Sequence, residues 1–418
     1  MPKILLFFLF LSFGTFSQLE EVRRITKELC SPEFHGRGYV NRGDSIAAHY
    51  VVSEFQKVGA QPFCDDYLQH FTMDVNTFPG EMSVQQNGKA LIAGVDFSIN
   101  PSSKGISTTL YPIEIPVEKA LDIEFLKKTI AEATASFKQH ALVFSYANVS
   151  SDTMHKIKGL IYEIATILPV IELVDTKFTW SVGQDQSLFP YLQIQDSVYQ
   201  KGIPIDVSIE ARLLKEYETQ NVIAFIPAEK KKAPFLIFTA HYDHLGQMGE
   251  NTYFPGANDN ASGTAMLITM AKYFKENPSD YNILFIAFGG EEVGLLGSKY
   301  FVEHPLLKLK KIKFLINLDI MGSGEESITA VNATLFPKEF ELLQTINKEK
   351  DLLPLIKSRG PAANSDHYWF TEKGVPAFFI YTTGPNRHYH DVFDTYEELT
   401  FSEYDDITTL LIEFVKRL

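Results

Sequence analysis

Phe235-Leu236-Ile237-Phe238-Thr239-Ala240-His241, Ile283-Leu284-Phe285-Ile286-Ala287-Phe288 and Phe314-Leu315-Ile316-Asn317-Leu318-Asp319 are short apolar runs, two of which end on a residue able to hold a cation. Runs apolar at successive positions suit strands buried on both faces. Helical patterns separate them. One spans Asn260 to Glu276 and puts Leu267, Met270, Ala271 and Phe274 on a single stripe; another covers about Gly294 to Glu303. Asn221–Ile226 and Ala377–Tyr381 add further strands. Strands alternating with helices predict an α/β fold, with a mostly parallel sheet covered on both sides.

Open α/β sheets place their sites outside the carboxyl ends of the strands, and the chemistry-bearing residues of this chain stand there. His241 and Asp319 close two of the runs. Glu291 and Glu292 follow Phe288 across Gly289-Gly290. Asp259 lies in the turn Gly256-Ala257-Asn258-Asp259-Asn260-Ala261-Ser262-Gly263, and His390 in a late loop. Imidazole and carboxylate without sulfur suit zinc or a similar divalent ion. Two cations close together need a bridging carboxylate and several anionic partners, which three carboxylates and two histidines provide. Asp243, two residues after His241, is placed to accept the second ring N–H. Adjacent side chains diverge, so Glu291 and Glu292 divide the work: one binds metal while its neighbour faces the attacking water as general base.

His241-Tyr242-Asp243-His244, Gly256–Gly263, Phe288-Gly289-Gly290-Glu291-Glu292-Val293-Gly294-Leu295-Leu296-Gly297-Ser298 and Asn317-Leu318-Asp319 resemble the zinc aminopeptidase family, which includes bacterial leucyl aminopeptidases and glutamate carboxypeptidase. Ser365-Asp366-His367 and Tyr389-His390-Asp391-Val392-Phe393-Asp394-Thr395 fit its final segments, and Gly36-Arg37-Gly38 fits near the start. The resemblance covers about Asn221 to the C-terminus, and residues 18–88 more loosely. It implies a three-layer α/β/α zinc-exopeptidase sandwich and two Zn²⁺ ions per chain. Asp259 would bridge them, His241 and Asp319 would complete one site, and Glu292 and His390 the other. Glu291 would be the general base. Tyr381 is a candidate oxyanion donor, Asp366 a candidate positioning group and His388 a candidate pocket residue; His244, His304 and His367 read as ordinary polar residues. The chain departs from the family pattern at Asn258, where relatives often carry Asp, and at Asp391-Val392, which replaces Thr-Pro or Ser-Pro.

The remainder bounds the reading. Of 418 residues, 45% are hydrophobic and 22% charged, which is globular composition, and the 33 Phe and 19 Tyr are scattered as core residues are. A net charge of −14 disfavours nucleic acid as a partner. Lys3, the apolar run Ile4–Phe13 and Thr15-Phe16-Ser17 read as a signal peptide over 1–17 with a mature start at Gln18, and hence a periplasmic or secreted protein without a stable membrane anchor after cleavage. Residues 18–88 are expected to begin the peptidase domain, starting with two helices, the second capped by Asp44. Residues 89–205, free of chemical motifs, form an inserted smaller β-rich domain, which the resemblance relates to a protease-associated domain, and 206–418 complete the peptidase. Cys30 and Cys64 can bridge or remain two buried thiols. The functional expectation is an aminopeptidase acting on peptides. A glutaminyl cyclase-like acyltransferase, a carboxypeptidase and a non-catalytic receptor-like relative are the alternatives, and the oligomeric state is open.

Overall fold

The computed structural model describes residues 18–146 and 149–418. The expected signal peptide, 1–17, lies outside them. Among the described residues no helix is long and apolar enough to cross a membrane.

A nine-stranded mixed sheet forms the centre of the molecule. Its four middle strands, Asn282–Phe288, Phe235–His241, Ile312–Leu318 and Ala377–Thr383, lie side by side and run parallel. The long strand Arg212–Ile226 joins them antiparallel at one side, and Ser327–Val331 does so at the other. Side chains divide between the two faces with the two-residue period of a strand. Leu236, Phe238, Ala240, Ile283, Phe285 and Ala287 enter the larger core, beneath helices 18–29, Gly43–Lys57, Gly263–Glu276, Pro337–Lys350 and Tyr404–Arg417. Ile237, Leu284, Ile286 and Phe288 enter the other, under Leu296–Glu303 and His367–Glu372. The result is the α/β/α sandwich.

The second sheet has eight strands. Ile106–Glu114, His140–Phe144, Val170–Val174 and Tyr191–Gln195 run parallel within it. Its strands reach from Met82 to Ile209, a wider span than 89–205. Met82–Gln86 and Lys89–Ala90 pair across the Asn87-Gly88 turn, whose φ values of 53° and 74° suit that sequence. Two helices occur where the sequence suggested mostly strands. Asp122 caps Ile123–Thr134 by accepting from the Phe125 N–H at 3.1 Å, and Ser150 caps Ser151–Ile164 through the Thr153 N–H at 3.3 Å. The sheet's other face shares one apolar cluster with Leu245, Met248 and Phe254, which follow the central strand Phe235–His241. There Trp180 stacks on Phe254 with ring centres 4.8 Å apart.

One detail corrects the sequence reading and another decides between its alternatives. Asp44 does not cap the helix that starts at Gly43; it is buried inside its first turn and accepts from Tyr217 Oη at 2.7 Å and Thr219 Oγ1 at 2.8 Å. Cys30 and Cys64 are free thiols. They pack into cores on opposite faces of the central sheet, so no bridge joins them.

Candidate metal centre

Register brings the candidate ligands level. His241 stands opposite Phe288, and Thr239 opposite Asn317, so the residues just past these strands emerge at one edge. Tight turns then aim the side chains. Gly290 takes φ +68° to turn the chain into Glu291-Glu292. Gly256 takes φ +57°, and a Cβ there would lie 2.3 Å from the Asp259 carbonyl oxygen and from the His244 ring, so only glycine lets the chain close on Asp259.

Five side chains converge. His241 Nε2 lies 3.2 Å from Asp259 Oδ1 and 3.4 Å from Asp319 Oδ1. His390 Nε2 lies 3.1 Å from Asp259 Oδ2 and 3.2 Å from Glu292 Oε2. Asp259 therefore turns one oxygen to each histidine. All but His390 and Glu292 are at least nine-tenths buried. Asp319 Oδ1 finds no hydrogen-bond partner although it is buried, which is costly unless a cation takes that lone pair. The donor set of imidazole and carboxylate fits zinc. The electrostatics also call for added positive charge. Burial opposes the charged form of His390, yet Glu292 and Asp259 raise its pKa to about 11. Burial likewise works against the Glu292 carboxylate, but His390 and His244 hold it at about 2. In Glu291, burial raises the carboxyl well above its usual range, and Glu292 and Asp366 add to the rise.

Supporting contacts fix this arrangement. Asp394, buried and pushed up to about 7 by that burial, accepts from the N–H groups of Asn258 and Asp259 at 3.0 Å each. Asn258, the departure from the family pattern, still braces the site, since its Oδ1 accepts from the Gly322 N–H at 2.9 Å. The second N–H of the His241 ring is taken by the Asp243 backbone carbonyl at 3.1 Å, with the carboxylate at 3.9 Å. The Asp243 carboxylate instead receives Tyr39 Oη at 2.8 Å and the N–H groups of Glu291 and Glu292 at 3.2 and 3.4 Å. It thus aims both glutamates.

The remaining candidates separate. Tyr381 lines a crevice of about 250 Å³ together with His241, Asp259, Glu291 and Asp319. Asp366 is fully buried and neither of its oxygens makes a hydrogen bond; burial pushes its carboxyl up to about 7. His388 does not line that crevice, contrary to the pocket expectation: its Nδ1 lies 3.3 Å from Asp391, which Lys177 anchors at 2.9 Å, and this draws the ring aside.

The roles of two residues escaped the sequence reading. His244, taken for an ordinary polar residue, is buried with Nδ1 2.7 Å from Glu292 Oε1, and its other nitrogen has no partner. It sits with Asp259 and Glu292 in a cluster whose ligand atoms are all within 4.8 Å of one another. Its place directly after His241-Tyr242-Asp243 was the available clue. Arg37 is completely buried and donates to the carbonyls of Tyr242 (2.8 Å), Leu29 (3.0 Å), Pro255 (2.6 Å) and Gly256 (2.7 Å), tying the residue after His241 to the turn that carries Asp259.

An α/β/α sandwich with His and carboxylate clusters at its parallel strand ends has the architecture of the zinc exopeptidases. Residues 221–415 match the profile of Peptidase family M28. Aminopeptidase YwaD of Bacillus subtilis (strain 168) is 31% identical over 227 residues, which is 51% of this chain and 48% of that protein. A probable leucine aminopeptidase of Trichophyton verrucosum is 26% identical over 218 residues, 49% of this chain and 58% of that one. The matched stretch thus spans about half the length of these relatives. Among solved structures, BSAP, a zinc aminopeptidase from Bacillus subtilis, superposes with a TM-score of 0.67 at 20% identity, covering 95% of this chain and 94% of that one. The aminopeptidase from Aneurinibacillus sp. strain AM-1 gives 0.60 at 20% identity, covering 95% and 92%. These two likenesses establish the fold. Zinc is the metal named for the first of these two structures.

Proposed function

We propose that this protein is a two-zinc aminopeptidase that hydrolyses N-terminal peptide bonds. Asp259 would be shared between the ions, with His241 and Asp319 on one and Glu292 and His390 on the other. The observation that carries this reading is the orientation of Asp259, whose two oxygens face two different histidines. A carboxylate serving a single cation gains nothing from that arrangement. The names of the relatives favour an aminopeptidase over a carboxypeptidase or a cyclase.

Zinc supplies Lewis acidity to the substrate carbonyl and to water in such a site. The protein's own part lies with Glu291. Held by Asp243 through its backbone N–H, it takes a proton from the attacking water and passes it to the departing amine; the water oxygen ends on the acyl carbon as the C–N bond breaks. Tyr381 Oη accepts from Arg359, which leaves its own O–H free to donate into the crevice. Export rests on residues 1–17 alone, and a mature N-terminus at Gln18 would support it.

The test is Glu291→Ala assayed on aminoacyl anilides, with zinc content measured alongside. Retained zinc with a loss of roughly 10²–10⁴ in turnover supports the assignment. Full turnover removes Glu291 as base. Cyclisation of N-terminal Gln peptides, or release of C-terminal residues, would replace the aminopeptidase reading.

A further inference from the structure

The crevice that exposes the metal cluster is lined by more than the machinery of hydrolysis. Ile320, Phe379 and Tyr381 give it an apolar wall, and Arg359 and Asn364 add polar groups. Arg359 is an exposed cation in that lining. In a chain with 52 acidic and 38 basic residues, its guanidinium forms no ion pair among the described residues. Its one side-chain hydrogen bond there is the donation from Nη1 to Tyr381 Oη at 3.4 Å. A guanidinium has five N–H donors in a planar fork, so most of them are left for a visitor.

The position is also held in place. Just past the edge strand Ile356–Ser358, the Arg359 backbone N–H donates to the Ala330 carbonyl at 3.0 Å, which ties its Cα to the sheet. Ile320 adopts φ 55°, a conformation β-branched residues avoid. Its N–H donates to Asn260 Oδ1 at 3.3 Å, and its carbonyl accepts from the Thr382 N–H at 3.0 Å and Oγ1 at 2.6 Å. Backbone strain of this kind persists where surrounding contacts over-determine it. It fixes one wall of the crevice directly after the candidate ligand Asp319.

A planar fork with free donors matches a carboxylate two bonds at a time. We infer that Arg359 receives a carboxylate of the substrate, with Asn364 beside it and the methylenes of the residue against Ile320, Phe379 and Tyr381. This deepens the peptidase reading and rests on it. Two sources share that chemistry: an acidic side chain on the N-terminal residue, and the free terminal carboxylate of a very short peptide.

The experiment compares kcat/KM of the zinc-loaded full chain for Glu- and Gln-p-nitroanilide, which differ in the side-chain carboxylate. A second comparison uses Leu-Gly with a free and with an amidated C-terminus. The wild type should favour the carboxylate in one of these pairs by about 10–100-fold, the worth of a charge-assisted hydrogen bond. Arg359→Gln should collapse that ratio, chiefly through KM, and Arg359→Lys should restore part of it. A preference in the first pair assigns the side chain and in the second the terminus. Ratios near one in the wild type, or a preference untouched by Arg359→Gln, overturn the inference. Calorimetry on zinc-loaded Glu291→Gln with L-glutamate against L-leucine separates this from the parent reading. Arg359-dependent binding in a protein whose wild type hydrolyses no peptide leaves the subsite standing and the peptidase fallen. Hydrolysis without Arg359 dependence does the reverse.

Discussion

His390 and Trp180, 210 positions apart, exchange two hydrogen bonds: the Trp180 N–H donates to the His390 carbonyl at 2.9 Å, and the His390 ring Nδ1 lies 2.8 Å from the Trp180 carbonyl. The carbonyl can only accept, so Nδ1 carries the proton and Nε2 is left as the ring's free donor atom towards Asp259 and Glu292. Trp180 belongs to the second sheet's connection between Val170–Val174 and Tyr191–Gln195. A connection of the second sheet therefore helps orient a candidate ligand at the edge of the central one.

Lys177, in the same connection, donates to the carbonyls of Arg387 at 2.8 Å and Tyr389 at 3.4 Å and to Asp391 Oδ2 at 2.9 Å. Lys177→Met should loosen the His390 loop and weaken one of two zinc equivalents by about 10-fold, at the low end for partners of metal ligands because Lys177 acts through the backbone. Competition with a chromophoric chelator reads this. Two unchanged affinities would show that the loop keeps its shape without the clamp.

Arg37 satisfies carbonyls of four buried or loop residues with one side chain. Arg37→Met should destabilise the metal-free protein by ~4 kcal/mol, the sum of several buried acceptors left unpaired. Arg37→Lys should recover little, since an ammonium cannot present a planar fork. The thermal midpoints of the two variants check this; a midpoint within a degree of wild type for Arg37→Met would contradict it.

His367 is buried against Phe379 with neither ring nitrogen hydrogen-bonded, and that burial lowers its pKa from 6.5 to about 4. Between those values the unfolded chain binds the proton and the folded chain does not, so stability falls as pH drops from 6.5 towards 4. The contribution lost is at most ~3 kcal/mol. His367→Leu should flatten the stability of the protein across that window, as followed by denaturant midpoints at fixed pH steps. An unaltered slope would contradict neutral burial.

The central fold was legible because its strands are apolar on both faces and end on ligand-type residues, and periodicity encodes both facts. His241, Asp259, Glu291, Glu292, Asp319 and His390 were legible through short motifs. Arg37 stood out within Gly36-Arg37-Gly38, but its role did not, because it acts on backbone carbonyls, which carry no sequence signature. The inward placement of His244 and the position of His388 outside the crevice were not legible for a related reason: which way a loop histidine faces depends on contacts distant in sequence, such as Lys177 with Asp391. Asp44 was read as a cap from local preference, and tertiary contacts with Tyr217 and Thr219 overrode it. The helices of the second sheet were missed because the apolar runs beside them dominate the pattern, although Asp122 and Ser150 mark both starts.

Counting zinc on the purified chain is the sharpest check on a shared Asp259. With that carboxylate turned towards two histidines, titration into metal-free protein should saturate at two ions per chain, and Asp259→Ala should reduce binding at both steps while the fold persists. Saturation at a single ion with full hydrolysis of aminoacyl anilides would contradict the two-zinc site.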